Sequence, residues 1–315
     1  LYDPERDITI SDGEPIRDIA TIWDVEVLSA FLGRDDLRDV VRRSLDAFGR
    51  LIVKRDAYAI VAPKGEQSSI AHSAFMALAL SRSELPDKVE RLTPLMEGIL
   101  RQQRKDGSYK IFFDRRPDLG EELYPAEAML SLLEAYRLTR DGRYLDSVER
   151  GFAYYKLAYY DRGRVEPDYL VFFANWQSQA GRLLFELTPK PQLKESVRAF
   201  LFELHDRVIA SGFYDRVARR PEAQACVEVA CGLEGLADTY AISAPGQGRA
   251  ESYRRCILTA LSFLLRAQRT TDCTDRERGG FGASLANREQ RIDVTGHVAS
   301  GFMKSIENGI DVPEA

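Results

Sequence analysis

Apolar positions recur with a helical period along most of the chain, alternating between segments that are apolar nearly all round and segments with a one-sided stripe. Residues 124–139 are of the first kind: Pro125 suits a first helical position, and Ala126, Met129, Leu130, Leu133, Tyr136 and Leu138 leave little polar surface. A turn from Thr139 to Gly142 ends this helix. The next segment carries Leu145, Val148, Phe152 and Tyr155 on one side, with Asp146, Glu149 and Arg150 toward water. The first helix is expected to be inner and the second outer.

This pairing recurs roughly every 50 residues, the mark of a helical repeat architecture. Inner helices are predicted near 18–32, 68–82, 124–139, 171–187, 223–242 and 293–307, and outer ones near 35–52, 87–104, 142–160, 191–211 and 250–268. The sixth outer partner is expected to be missing or truncated. Six apolar inner helices backed by amphipathic ones close most economically into a ring, because an open solenoid would need polar caps. The predicted fold is therefore all-α, an (α/α)6 toroid of six helical hairpins around a central cup, with residues 1–315 as a single domain. Inner-to-outer turns are short, as at Gly33-Arg34 and Thr188 to Lys190, whereas the returns near 53–67, 105–123, 161–170, 212–222 and 269–292 are long. The long connections lead to inner-helix N-termini, whose unpaired N–H groups favour anionic or hydroxyl-rich ligands.

Two motifs carry resemblances. Gln103-Arg-Lys-Asp-Gly-Ser-Tyr109 is similar to the Q-x-x-D-G-S-aromatic element of terpenoid cyclases and protein prenyltransferases, with a looser copy at Gln268 and Gly279-Gly-Phe281. In those toroids the element staples the end of an outer helix to the following loop, which implies a structural role. The run from Tyr124 to Leu145 resembles hairpins of six-hairpin sugar enzymes such as glucuronyl hydrolases and sugar epimerases. Both resemblances concern architecture, and a fold alone does not fix a function.

Composition narrows the field. With 315 residues, 44% hydrophobic and 30% charged, and a net charge of -5 spread over interspersed acids and bases, the chain has no basic stripe for nucleic acid. No apolar run is long enough to span a membrane. The chain begins at Leu1 without a signal-like segment, which leaves both a cytoplasmic protein and one trimmed from an exported precursor open. Cys226, Cys231, Cys256 and Cys273 form no CxxC and read as small buried groups or unpaired thiols. No cofactor and no metal is expected, and the oligomeric state is not legible.

Isoprenoid chemistry would need motifs that are absent or displaced. No D-x-D-D occurs. Asp35-Asp-Leu-Arg-Asp39 matches D-D-x-x-D, but it opens an outer helix, where capping by Asp35 or Asp36 is the simpler expectation. Asp272, Cys273 and His297 do not reproduce the order and spacing of a prenyltransferase zinc set.

Sugar chemistry fits the residues at the inner-helix starts better. Glycoside hydrolysis needs a protonated carboxyl opposite a carboxylate, and epimerisation needs a base beside a sugar carbon. Glu127, Glu228 and Asp293 are the candidate acids and bases, with His297 and His72 for proton transfer. Glu127 in a first turn and Asp293 as an N-cap also have plain helix-stabilising explanations, and His72 fits a core histidine. His205, on an outer helix, is expected to face solvent. Trp176, Trp23, Tyr124, Gln177, Arg291 and Tyr109 are the candidate substrate-binding residues, since aromatic faces and guanidinium forks suit an anionic saccharide. The leading expectation is a glycoside hydrolase or sugar epimerase acting on an anionic, uronic-acid type of saccharide at the inner-helix N-terminal mouth. The alternatives are a non-catalytic toroid that binds a glycan, peptide or partner domain, and a terpenoid cyclase or prenyltransferase-like enzyme.

Overall fold

The computed structural model describes residues 1–11, 15–63, 68–243 and 248–312, so the predicted connection 53–67 is described only to residue 63. Among the described residues the α-helices are α1 (Pro15–Leu32), α2 (Arg38–Gly49), α3 (Ile70–Arg82), α4 (Lys88–Gln102), α5 (Tyr124–Thr139), α6 (Gly142–Tyr154), α7 (Leu170–Leu187), α8 (Pro191–Ala210), α9 (Phe213–Arg219), α10 (Cys226–Ala241), α11 (Gly248–Ala267) and α12 (Ile292–Glu307). The predicted inner helices correspond to α1, α3, α5, α7, α10 and α12, and the outer ones to α2, α4, α6, α8 and α11. Elements not foreseen are the short α9 and two antiparallel hairpins, β1 (Tyr2–Asp3) with β2 (Ile8–Thr9) and β3 (Ile52–Lys54) with β4 (Ala59–Val61).

The chain divides into two compact units, residues 14–200 and residues 1–13 with 201–315, the division falling inside α8. In the first unit α3 packs against α1, α4 and α5, and α5 in turn against α6 and α7. All but the last residue of α3 are buried, as are Pro125 through Ala135 of α5, which is why both read as apolar all round. Outer α6 buries only Tyr144, Leu145, Ser147, Val148, Gly151 and Phe152, its predicted stripe and the positions beside it. In the second unit α10 packs against α11 and α12, with Cys226 and Val229 through Thr239 buried.

The glutamine motif acts as a staple in both units. Gln103 Nε2 donates to the Ser147 carbonyl on α6 at 2.8 Å and its Oε1 accepts from the Ser147 hydroxyl at 2.8 Å, while a bridge pairs Gln103 with Tyr109. Gly107 holds φ +96°, and a Cβ there would stand 2.4 Å from the Arg150 carbonyl oxygen, so the turn requires glycine. Gln268 repeats the arrangement, bridging to Phe281 and donating to the Gly279 carbonyl at 3.2 Å.

Two expectations are corrected. Neither Asp35 nor Asp36 caps α2: the helix begins after Leu37, and the carboxylates pair with Arg38 and Arg34 respectively at the exposed surface. His205 does not face solvent, because it is 1% exposed and stacks edge-on to Tyr253 of α11. The stripe of α8 is wider than its aliphatic residues suggest, and burial pushes the His205 imidazole down to about 3, so it is uncharged.

Candidate functional site

In the first unit His72, Tyr124 and Glu127 occupy the first turns of α3 and α5, while Trp23, Trp176 and Gln177 lie about two turns into α1 and α7. His72 is the third residue of α3 and forms a reciprocal cap with Ser69: its Nδ1 accepts from the Ser69 backbone N–H at 3.3 Å and lies 2.9 Å from the Ser69 hydroxyl. That acceptor role places the imidazole proton on Nε2. On α7, Trp176 meets Phe75 of α3 edge to face at 5.6 Å, so side chains from helices on either side of α5 touch each other. Glu127 in the first turn of α5 is buried, and Tyr124 opens that helix half-buried, its ring against Gly120. Gln177 is buried with its amide nitrogen lacking a hydrogen-bond partner among the described residues. The same holds for the indole nitrogen of Trp23, which is half-buried on α1. Buried donors of this kind are costly unless something polar meets them. Tyr109 is placed differently: it is fully buried, with its hydroxyl 2.8 Å from Ser147 Oγ and its backbone N–H donating to the Tyr155 hydroxyl. Its side chain belongs to the staple.

In the second unit the parallel helices α10 and α12 share a polar seam. Cys231, Glu234 and Asp238 follow one stripe of α10 at i, i+3 and i+7, and His297, Ser300 and Lys304 follow the facing stripe of α12. His297 Nδ1 lies 2.9 Å from Glu234 Oε2, and the imidazole also hydrogen-bonds the Cys231 thiol. Ser300 Oγ donates to Glu234 Oε1, and Lys304 Nζ reaches Glu234 at 3.4 Å and Asp238 at 2.7 Å. The seam explains how an otherwise apolar helix tolerates two acids: each has a cationic partner on α12.

The electrostatics follow from that geometry. Burial works against ionised Glu234, but Lys304, His297 and the Ser300 hydroxyl overcome it and bring the carboxyl down to about 2. Burial likewise works against a charged His297, and the facing Cys231 and Glu234 side chains outweigh it, raising the imidazole well above its ordinary value. We infer an imidazolium at neutral pH. The His297 side chain is 18% exposed against 2% for Glu234, so the ring is the member of the pair that reaches the surface.

Arg291, the N-cap of α12, donates through Nε to Asp293 at 2.6 Å, which brings a cation and a carboxylate together ahead of His297. Glu228 is half-buried in the first turn of α10. Asp272, Cys273 and His297 do not form a metal-holding group among the described residues. The reading of first turns missed Glu234, Asp238, Ser300 and Lys304, which lie deeper along their helices. The signal that could have found them is the matched spacing of polar residues on two apolar helices.

No protein-family model matches this chain, and no curated protein sequence matches it. Solved structures do. It is similar to the unsaturated glucuronyl hydrolase of Bacillus sp. GL1, with 11% identity over 95% of this chain and 87% of that one, at a TM-score of 0.65. It is similar to cellobiose 2-epimerase from Spirochaeta thermophila, with 12% identity over 93% and 86% of the two chains, at a TM-score of 0.65. A GH76 α-mannanase of Bacteroides thetaiotaomicron is 11% identical over 92% and 84%, at a TM-score of 0.60. At such identities the likeness concerns the fold, and the fold of this chain is that of the six-hairpin α/α toroids.

Proposed function

We propose that this chain, as one toroid domain over residues 1–315, is a carbohydrate-active enzyme of the hydrolase or epimerase type that acts on an anionic saccharide such as a uronic-acid oligosaccharide. The observation that carries the reading is the imidazole of His297, held by Glu234 and Cys231 and partly exposed at the seam of α10 and α12. A positively charged imidazole fixed in this way is a proton donor, and its conjugate form is a base, which is the pair of roles that sugar epimerisation and glycosidic cleavage both use. Glu234 touches the ring and acts as a positioning residue. Arg291, whose Nε is engaged by Asp293, would have to meet the substrate's carboxylate through its terminal nitrogens, beside the N-terminus of α12. Glu228 and Asp293 are the candidate carboxylates on the same unit as His297; Trp176 and Gln177, with Glu127, His72, Tyr124 and Trp23, are separate candidates within the first unit. The reading is further supported by the solved structures of like fold, whose names are those of a glucuronyl hydrolase, a disaccharide epimerase and a mannanase.

The test is to incubate the protein with uronic-acid oligosaccharides, neutral oligosaccharides and isoprenyl diphosphates in deuterated water and follow the mixtures by NMR. New reducing ends identify hydrolysis, and deuterium on a ring carbon without cleavage identifies epimerisation. Turnover should have an alkaline limb set by His297, be lost in His297→Ala, and show that limb at lower pH in Glu234→Gln, because removing the carboxylate lowers the imidazole's proton affinity. Saccharide binding without turnover would replace the enzyme by a glycan-binding toroid. Turnover of an isoprenyl diphosphate alone would overturn the carbohydrate reading.

A further inference from the structure

A second site lies in the first unit, at the C-terminal ends of α1 and α3, away from the helix starts that hold His72 and Glu127. A cavity of about 580 Å³ opens there, lined on its apolar side by Ala30, Val41, Leu45, Leu85 and Pro86. That size accommodates a small organic ligand. Two polar atoms in its lining, Glu26 Oε2 and Ser29 Oγ, are buried and have no hydrogen-bond partner among the described residues.

Glu26 stands apart from the other charges around the cavity. The guanidiniums around the cavity already have carboxylates: Arg34 pairs with Asp36, Arg38 with Asp35 and Glu84, Arg42 with Asp39, and Arg82 with Glu134. Burial pushes Glu26 up to about 8, while Lys88 and Arg82 pull it down and Glu84 pushes it up. The Lys88 ammonium is taken up by the carbonyls of Ser81 and Ser83, at 3.3 and 2.8 Å, and makes no bond to Glu26. Those two bonds also show what this end of the inner helices attracts: the last carbonyls of a helix carry partial negative charge and favour a cation. A protonated carboxyl with one oxygen unsatisfied, a hydroxyl beside it, helix C-termini and an apolar wall thus converge on one cavity.

We propose that this cavity binds a small primary amine with an apolar body, its ammonium group held by the carboxylate of Glu26 and the hydroxyl of Ser29. An ammonium has three donors and would meet both orphaned oxygens. The amine arrives protonated, so the proton that leaves on binding comes from the Glu26 carboxyl and goes to solvent: carboxylic acid plus ammonium gives the carboxylate–ammonium pair and one released proton. The proposal does not depend on the carbohydrate reading.

The experiment is titration calorimetry of the whole chain with 2-phenylethylamine and a panel of short alkyl and aryl primary amines, in buffers of different ionisation enthalpy. 2-Phenylethanol and 3-phenylpropionate serve as neutral and anionic counterparts. The expected result is amine binding that releases about 0.9 proton at pH 7 and close to none at pH 9, where little Glu26 is protonated and the amine's own partial deprotonation offsets it. The alcohol should bind at least about tenfold more weakly. Glu26→Gln, which keeps the shape of the neutral acid, should lose at least about tenfold in amine affinity and all proton release. The proposal is overturned if no amine of the panel binds, if Glu26→Gln binds amines as well as the parent chain, or if the carboxylate binds instead with proton uptake. The proton count on the unsubstituted chain reads the same mechanism without any variant.

Discussion

Gly301 of α12 lies so close to Leu233 of α10 that a Cβ added to it would stand 2.8 Å from the Leu233 Cδ2. This contact lets the two helices approach closely enough for His297 and Glu234, and for Lys304 and Asp238, to meet. Gly301→Ala should therefore destabilise the protein by about 1–3 kcal/mol, the usual cost of overpacking. Leu233→Ala should cost about 2–5 kcal/mol by leaving a cavity. The double variant is expected to be more stable than the sum of the two losses implies, because the added methyl enters the vacated space. Urea denaturation of the four species measures the coupling.

Glu234 contributes stability that depends on its charge. Its folded value of about 2 lies below the ordinary carboxylate value of 4.5, so the contribution is complete above about pH 4.5 and is lost as the pH falls toward 2. Glu234→Gln should cost about 3 kcal/mol at pH 7, where it leaves Lys304 and His297 without their shared anion, and progressively less between pH 4.5 and 2. Denaturant midpoints at pH 7, 4 and 3 would show the two curves converging.

His205 has a related sign and a different window. Its folded value of about 3 lies below the ordinary 6.5, so the unfolded chain takes up a proton that the folded one refuses. Stability is present above about pH 6.5 and falls toward pH 3, at up to about 1.4 kcal/mol per pH unit. His205→Leu should flatten that decline while changing stability little at pH 8. A matched pair of thermal melts from pH 8 to pH 4 would detect it.

The staple is open to a direct test. Gln103→Ala removes one of the two side chains that bond the buried Ser147, leaving only the Tyr109 hydroxyl, so the loss is expected at about 1–3 kcal/mol. Tyr109→Phe, which removes one hydroxyl from the same cluster, should cost about 1 kcal/mol. If Gln103→Ala melts with the parent chain, the motif does not hold the loop.

These energetics separate what the sequence makes visible from what it hides. The helices are legible because burial imposes a period: α5 and α10 are buried over most of their circumference and correspondingly rich in apolar residues, and α6 is apolar on one face. The β3–β4 hairpin is not, since its strands are only three residues each and leave no periodic trace. Helix α9 is hidden within the predicted connection for a similar reason, having seven residues, of which Phe213, Tyr214 and Val217 are buried. At the site, Arg291, Asp293 and His297 are legible because they stand near a helix start, where unpaired N–H groups favour ligand chemistry. Glu234 is not, because its meaning comes from α12, some 60 residues away in the chain, and only the paired spacing 231/234/238 and 297/300/304 encodes it. Tyr109 shows the converse: an aromatic residue in a loop looked like a binding face, and Ser147 on the following outer helix takes up its hydroxyl.

Gln103 and Gln268 anchor their loops at the root, next to the outer helix that each one closes. Asp118, further along, ties back to this turn by pairing with Arg104 and accepting from the Ile111 N–H at 2.7 Å, and Glu122 accepts from the Tyr159 hydroxyl at 2.6 Å, so the connection is fastened along its length. A change at any of these anchor points is therefore felt by the helices on both sides, and sequence can drift at little cost only at outward-facing positions of the loop such as Leu119, which is 71% exposed.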